Sequence, residues 1–229
     1  MKRSELNEIL RQAKAFLDEQ NFKLPRWAHW GPEQWAAAGH EWDEIRDNML
    51  GWDITDFGLG RYDEVGLLLF TIRNGNAAMD KYIKPYCEKL LICGDRQVCP
   101  THFHFDKIED IICRGGGVLA LQVWNGAEDG TRLDTPLTVN VDGHVYEVPG
   151  GSEVRLEPGE SITLTQYMYH AFWGEPETPG GLVLVGEVSA VNDDNTDNRF
   201  HDDGIGRFPK IEDDEPPLHL LCNEYPPAP

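Results

Sequence analysis

CPTHFHFDKIED, residues 99–110, is the stretch from which the rest of the chain can be read. His102 and His104 sit one residue apart, and residues i and i+2 of a strand point to the same side. A strand ending near Phe105 therefore aims both imidazoles at one face, and a narrow barrel would enclose that face. Glu109 has the wrong parity to join them along an unbroken strand. The chain must turn at Phe105-Asp106-Lys107 so that IEDIICR (108–114) starts a new strand and brings the carboxylate back. A fourth ligand has to come from elsewhere in the barrel. His170 in TQYMYHAFWG (165–174), late in a predicted strand with aromatic neighbours, is best placed; histidines 29, 40, 144, 201 and 219 fall in predicted helices, turns or the tail. Three imidazoles and one carboxylate suit Mn²⁺, Fe²⁺, Co²⁺ or Zn²⁺.

Working outward, the middle of the chain is rich in strands. EVGLLLFTIRNG (64–75), KLLIC (89–93), GGGVLALQVWNG (115–126), SEVRLEPGESITLTQYMYHAFWG (152–174) and GGLVLVGEVSAVND (180–193) all read as strand segments. PLTVNVDGHVYEVPGG (136–151) carries the Asp142-Gly143 pair of a two-residue hairpin. Turns recur every ~8 to 12 residues, the spacing of a sandwich or small barrel. Before them, Leu6, Ile9, Leu10, Ala13, Phe16 and Leu17 form one face of a helix, with Ser4 as its expected N-cap. A second helix is predicted from Pro32 to Gly39, and HEWDEIRDNMLGWDITDFG (40–58) as a short helix followed by acidic loops. The tryptophans crowded between 27 and 52 are expected to pack helices onto the sheet. The chain thus reads as one domain, 1–229: a helical portion 1–60 wrapped on an antiparallel β-barrel of about 61–200, then a tail 201–229 rich in proline and acid from Phe208.

Composition limits the partners. The 229 residues carry a formal net charge of −20, which repels phosphate backbones and anionic lipid heads and argues against nucleic-acid or membrane-surface binding. The five cysteines are scattered with no CxxC pair, which fits reduced thiols in the cytoplasm. No stretch has the apolar core of a signal peptide or approaches the ~18 apolar residues of a membrane span.

Two longer patterns carry a resemblance. CPTHFHFDKIEDIICRGGG (99–117) resembles the first motif of the cupins, HxH, four residues, Glu and then glycine. EPGESITLTQYMYHAFWG (157–174) resembles the second, though the usual Pro-x-Gly before its histidine is replaced by TQYMYH. Within cupins, MKRSELNEIL (1–10), EKLLI (88–92), LEPGESITL (156–164), HAFWG (170–174) and above all GEVSAVNDDNTDNRF (186–200) are similar to bacterial D-lyxose isomerases over nearly the whole chain. That resemblance implies a mainly β, jelly-roll-like cupin barrel with His102, His104, Glu109 and His170 on a divalent metal, commonly manganese. It also implies a homodimer and interconversion of lyxose with xylulose, often with mannose and fructose as a second pair.

Such a reaction needs groups beyond the metal ligands. An aldose bound through O1 and O2 would have its C2 proton removed and returned at C1, with a hydride shift as the other route. Lys107 lies in the turn between two candidate ligands, and Glu187 is a carboxylate in an otherwise apolar strand; both are candidate acid–base groups. Asp203, in RFHDDGIGRF (199–208), is a candidate base folding over the pocket mouth. Asp193, Asp194, Asp197 and Asp202 are expected to form a solvated acidic rim. Lys89, in a strand leading toward the site, is a candidate sugar-hydroxyl ligand. Cys113-Arg-Gly-Gly-Gly117 opens no predicted helix and is expected to be a sharp bend, not a phosphate cradle, which favours a small neutral sugar as substrate. The same ligand set occurs in Fe or Mn oxygenases, and a non-catalytic sugar-binding cupin is the third alternative.

Overall fold

The structure, a computed structural model, describes residues 1–193, 196–206 and 208–229. Two curled antiparallel sheets face each other. The larger runs in the order β1 (Gly51–Thr55), β2 (Leu67–Arg73), β3 (Tyr86–Gly94), β13 (Leu182–Ala190), β5 (Glu109–Gly115), β11 (Ser161–Leu164), β8 (Leu137–Val141), β9 (His144–Val148). The smaller runs β10 (Ser152–Leu156), β6 (Gly117–Gly126), β12 (Tyr169–Pro176), β4 (Val98–His104), β14 (Asn198–Phe200), with β7 (Arg132–Leu133) paired to β6. The mainly β barrel expected from the sequence is what forms.

β2 and β3 are continuous apolar runs because both of their faces are covered. Leu67, Leu69, Leu91 and Cys93 join the barrel interior. Their alternates Leu68, Phe70, Leu90 and Ile92 pack outward against Leu6, Leu10, Ala13 and Leu17 of α1 (Arg3–Glu19). β1 corrects the sequence reading, which had acidic loops there. Trp52 and Ile54 face the helix, while Asp53 and Thr55 alternate with them and line the interior. Polar residues on the inward face disguise the strand, because the usual apolar-in, polar-out pattern is reversed at this position.

The turns follow their residues. Asp142 and Gly143, at φ 51° and 83°, join β8 to β9 in the left-handed conformation that a two-residue hairpin requires. Gly116, at φ 84°, carries β5 into β6; a Cβ there would lie 2.3 Å from the Leu182 carbonyl oxygen. Ser4 is not the helix cap: Lys2 stands at that position, and Ser4 lies inside α1 with its N–H donating to Asp214 Oδ1 at 2.9 Å. The acidic tail is a strap across α1 and β1. Asp213 and Glu224 hold the buried Arg3 at 2.7 and 2.6 Å, and the Cys222 N–H donates to the Trp52 carbonyl at 2.7 Å. α2 (Pro32–Ala37) and α3 (Asp43–Asp47) stack Trp35 and Ile45 under that strap with Trp30, Trp42 and Tyr225. None of the tryptophans lines the cavity between the sheets.

The strap also carries a pH dependence. His219 donates Nδ1–H to the Trp30 carbonyl at 2.9 Å, while its Nε2 lies 3.0 Å from Lys14 Nζ, an arrangement that needs a neutral ring. Burial, with the Lys14 charge behind it, holds its pKa down to about 4 against the Trp30 carbonyl. Between about pH 6.5 and pH 4 the unfolded chain binds a proton that the native one does not. Stability therefore falls as pH is lowered through that window, by at most about 3 kcal/mol. Urea unfolding should show the advantage of wild type over His219→Gln narrowing by about 1 kcal/mol from about pH 7.5 to about pH 5.5. An unchanged gap would show that the ring titrates alike in both states.

Candidate metal and active site

His102 and His104 leave β4 on its inner face, and His170, the second residue of β12, stands directly opposite His102. His170 thus opens its strand instead of lying late in it. The His102 and His170 ring centroids are 4.2 Å apart. Each ring is turned by a backbone carbonyl on its Nδ1: Pro100 at 2.7 Å for His102, Asp197 at 3.1 Å for His104, Met168 at 3.0 Å for His170. That bond fixes the proton on Nδ1 and leaves the Nε2 lone pairs to converge. One ring nitrogen from each of the three lies within 4.8 Å of the others, and His170 Nε2 is buried with no hydrogen-bond partner among the described residues. Burial and the neighbouring rings hold the His102 pKa well below its usual value; burial holds that of His170 down to about 4.

Glu109 reaches the rings across the barrel, because β4 and β5 belong to different sheets and the 105–108 turn crosses between them. Its Oε1 lies 3.5 Å from His104 Nε2 and 3.4 Å from His170 Nε2, while Oε2 lies 2.7 Å from Lys107 Nζ. Burial alone would raise its pKa, but the adjacent Lys107 ammonium group, foremost among its neighbours, outweighs burial and holds the carboxyl well below the usual range. Three converging imidazole nitrogens and an ionised carboxylate oxygen, with His170 Nε2 making no hydrogen bond among the described residues, fit a divalent first-row ion.

Asp197 makes the turn possible. Its carboxylate accepts the N–H groups of Asp106 at 2.6 Å and Lys107 at 2.9 Å, while its own carbonyl orients His104. It is buried, not part of a solvated rim. Asp197→Ala leaves the buried Lys107 N–H unpaired and frees the exposed Asp106 N–H to water, so chemical denaturation should show a loss of about 1 to 3 kcal/mol. Metal titration should show affinity lowered roughly 10- to 100-fold. Unchanged metal affinity would reduce Asp197 to a stabilising residue.

Beside Glu109 lies a polar network. Lys107 Nζ is 3.0 Å from Glu187 Oε1 and 3.1 Å from Asn192 Oδ1; Lys89 Nζ is 3.2 and 2.7 Å from the same two atoms. Both lysines and both glutamates are buried. Two lysine nitrogens thus share two acceptors, with Glu109 close by. Asn74 pins Asn192, accepting its N–H at 3.0 Å and donating to its carbonyl at 2.9 Å. The cavity above is lined by Lys89, Lys107, Glu187, Asp53, Thr55 and Asn198 on its polar side and by Phe57, Leu69, Phe172 and Phe200 on its apolar side.

All the residues singled out from the sequence as site members meet here except Asp203. It is exposed in a turn after β14, lining a separate surface hollow with Gly130, Tyr169 and His201. Asp193 is exposed, as is Asp202; Asp194 lies outside the described residues. Asp53, Asn192, Asp197 and Asn198 were missed. The NDDNTDNRF block stood out as a pattern, but nothing local says that Asp197 turns into the β4–β5 bend or that Asn198 pairs opposite His104.

The family model for D-lyxose isomerase matches residues 1–225. A D-lyxose/D-mannose isomerase of Serratia proteamaculans is 46% identical over 226 residues, covering 98% of each chain. Another, from Escherichia coli O157:H7, is 45% identical over 226 residues with the same coverage. Among solved structures, an L-ribose isomerase of Acinetobacter sp. DL28 in complex with L-ribose aligns at a TM-score of 0.62 and 20% identity, over 93% of this chain and 98% of that one. At that identity the likeness is one of fold, the cupin barrel. The family match and the two relatives run nearly end to end through both sheets, the helices and the histidine cluster, and the chain belongs to the D-lyxose isomerase family.

Proposed function

We propose that this chain is a metal-dependent aldose–ketose isomerase that interconverts D-lyxose with D-xylulose and D-mannose with D-fructose. The observation that carries the reading is the shared Glu109: one oxygen faces the histidine nitrogens, the other faces the lysine that bridges to Glu187. His102, His104, His170 and Glu109 would hold the ion. When bound, a divalent ion supplies Lewis acidity, which polarises a carbonyl and acidifies the neighbouring C–H. Glu187 is assigned the proton transfer between C2 and C1, since both oxygens of Glu109 are already engaged. The hydrogen bonds described for Glu187 fall on Oε1, leaving Oε2 for the carbon-bound proton. Lys89 is assigned to a sugar hydroxyl, and Lys107, whose contacts go to Glu109, Glu187 and Asn192, offsets the charge of the cis-enediol. The apolar wall keeps water from the reacting carbons. Asp203 takes no part. Mn²⁺ as the preferred ion and a homodimer as the working form follow from the family resemblance, and a cytoplasmic location from the five scattered cysteines.

The test is turnover. Protein stripped with chelator and restored with Mn²⁺ is incubated without oxygen in deuterated water with D-lyxose and, separately, D-mannose, and the sugars are followed by NMR. Xylulose and fructose should appear only with metal, and deuterium should enter at C1; a hydride shift would leave it out. No conversion of either sugar by loaded protein would overturn the reading. Oxygen uptake would then assign the site to an oxygenase, and sugar affinity without turnover to a binding protein.

A further inference from the structure

We propose that Asn198 is a hydroxyl-binding residue of the sugar cavity, its side-chain amide holding one hydroxyl of the bound aldose close to the reacting carbons. The inference rests on the isomerase reading above. Asn198 stands directly opposite His104 in the β4–β14 pairing, so the two side chains leave the same face side by side. It lines the cavity with His102, Lys89 and Phe200. Its Oδ1 is buried and has no hydrogen-bond partner among the described residues.

Buried amide oxygens are nearly always paired, and leaving one unpaired destabilises the folded chain. His170 Nε2 shares this condition in the same site, where the proposed ion would meet it. Asn198 Oδ1 needs a donor instead. A side-chain amide presents a carbonyl acceptor and N–H donors next to each other. A hydroxyl both donates and accepts, so it can engage both, which neither an ammonium nor an apolar group can. Phe200, two residues on, also lines the cavity and offers a flat apolar surface for the C–H side of a sugar. The amide sits next to a candidate metal ligand, so the hydroxyl it holds belongs to the carbons nearest the reacting pair.

The test is a substitution of similar size without polar atoms, Asn198→Leu, with Asn198→Ala as a second variant should leucine prevent folding. Metal content and the melting temperature of the sugar-free protein should be unchanged, or the latter raised, because the unpaired oxygen is gone. KM for D-lyxose and D-mannose should rise roughly 10- to 100-fold, with kcat changing far less. For one monodeoxy analogue of the sugar, wild type and variant should bind equally well, which identifies the hydroxyl. An unchanged KM, or a fall in melting temperature with no analogue showing this convergence, would overturn the proposal and leave Asn198 structural. The wild type is assayed beside the variant. Wild-type turnover with unaltered variant constants sinks only the Asn198 assignment. No wild-type turnover sinks the isomerase reading, and thermal protection by D-lyxose that the variant loses would still support Asn198. If the wild type shows neither turnover nor protection, both fall.

Discussion

His170→Ala protein is expected to fold, to bind metal far more weakly and to turn over no sugar. The ring is 1% exposed, its Nδ1 is held by the Met168 carbonyl, and its Nε2 has no hydrogen-bond partner among the described residues. Alanine removes one of the converging nitrogens and leaves the other two and Glu109 in place. The folded chain loses some packing, but it also loses a buried polar atom that makes no hydrogen bond among the described residues, so the stability change without metal should be modest. Metal affinity should fall by more than the roughly 100-fold that follows loss of an outer hydrogen bond. Calorimetric titration with Mn²⁺ measures this directly, and His219→Gln is a control because that ring lies in the strap under α1. If His170→Ala kept its metal and its rate, the ion would have to sit elsewhere.

The second large effect concerns proton transfer. Glu187→Gln is nearly isosteric and keeps an acceptor for Lys107 and Lys89, so the metal should remain bound. The base is lost, and kcat should fall by about 10² to 10⁴. Solvent deuterium should stop entering the product at the same time. Lys107→Met is a harsher change. It leaves Glu109 and Glu187 facing each other without the cation between them, and removing one partner of a buried charge pair costs about 3 to 5 kcal/mol. The two variants therefore separate. Glu187→Gln, which keeps an acceptor but leaves the two lysines facing one carboxylate, should lose rate with a smaller stability loss than Lys107→Met, which should lose both heavily. If Glu187→Gln still labelled C1 at the wild-type rate, the base would be another group, and Asp53 in the cavity wall is the next to test.

Much of this protein is local in origin. The i, i+2 spacing of His102 and His104, the Asp142-Gly143 hairpin, the apolar face of α1 and the long strands β2 and β3 each depend on residues a few positions apart, so periodicity alone reveals them. Where periodicity failed, a functional or tertiary demand had overridden it. β1 looked like an acidic loop because Asp53 and Thr55 point into the cavity, and Ser4 looked like a cap that Asp214, some 210 residues away, made unnecessary.

The sequence by itself determined a mainly β chain with histidines on one strand face, a carboxylate returned by a turn, and a further histidine on another strand. The tertiary structure decided which of many acidic and amide side chains join them. Asp197, Asn192 and Asn198 come from one segment that folds back along β4, and Asp53 comes from a strand on the far side of the larger sheet. Such neighbours are set by sheet order and register, which are properties of long-range pairing, and no spacing along the chain records them.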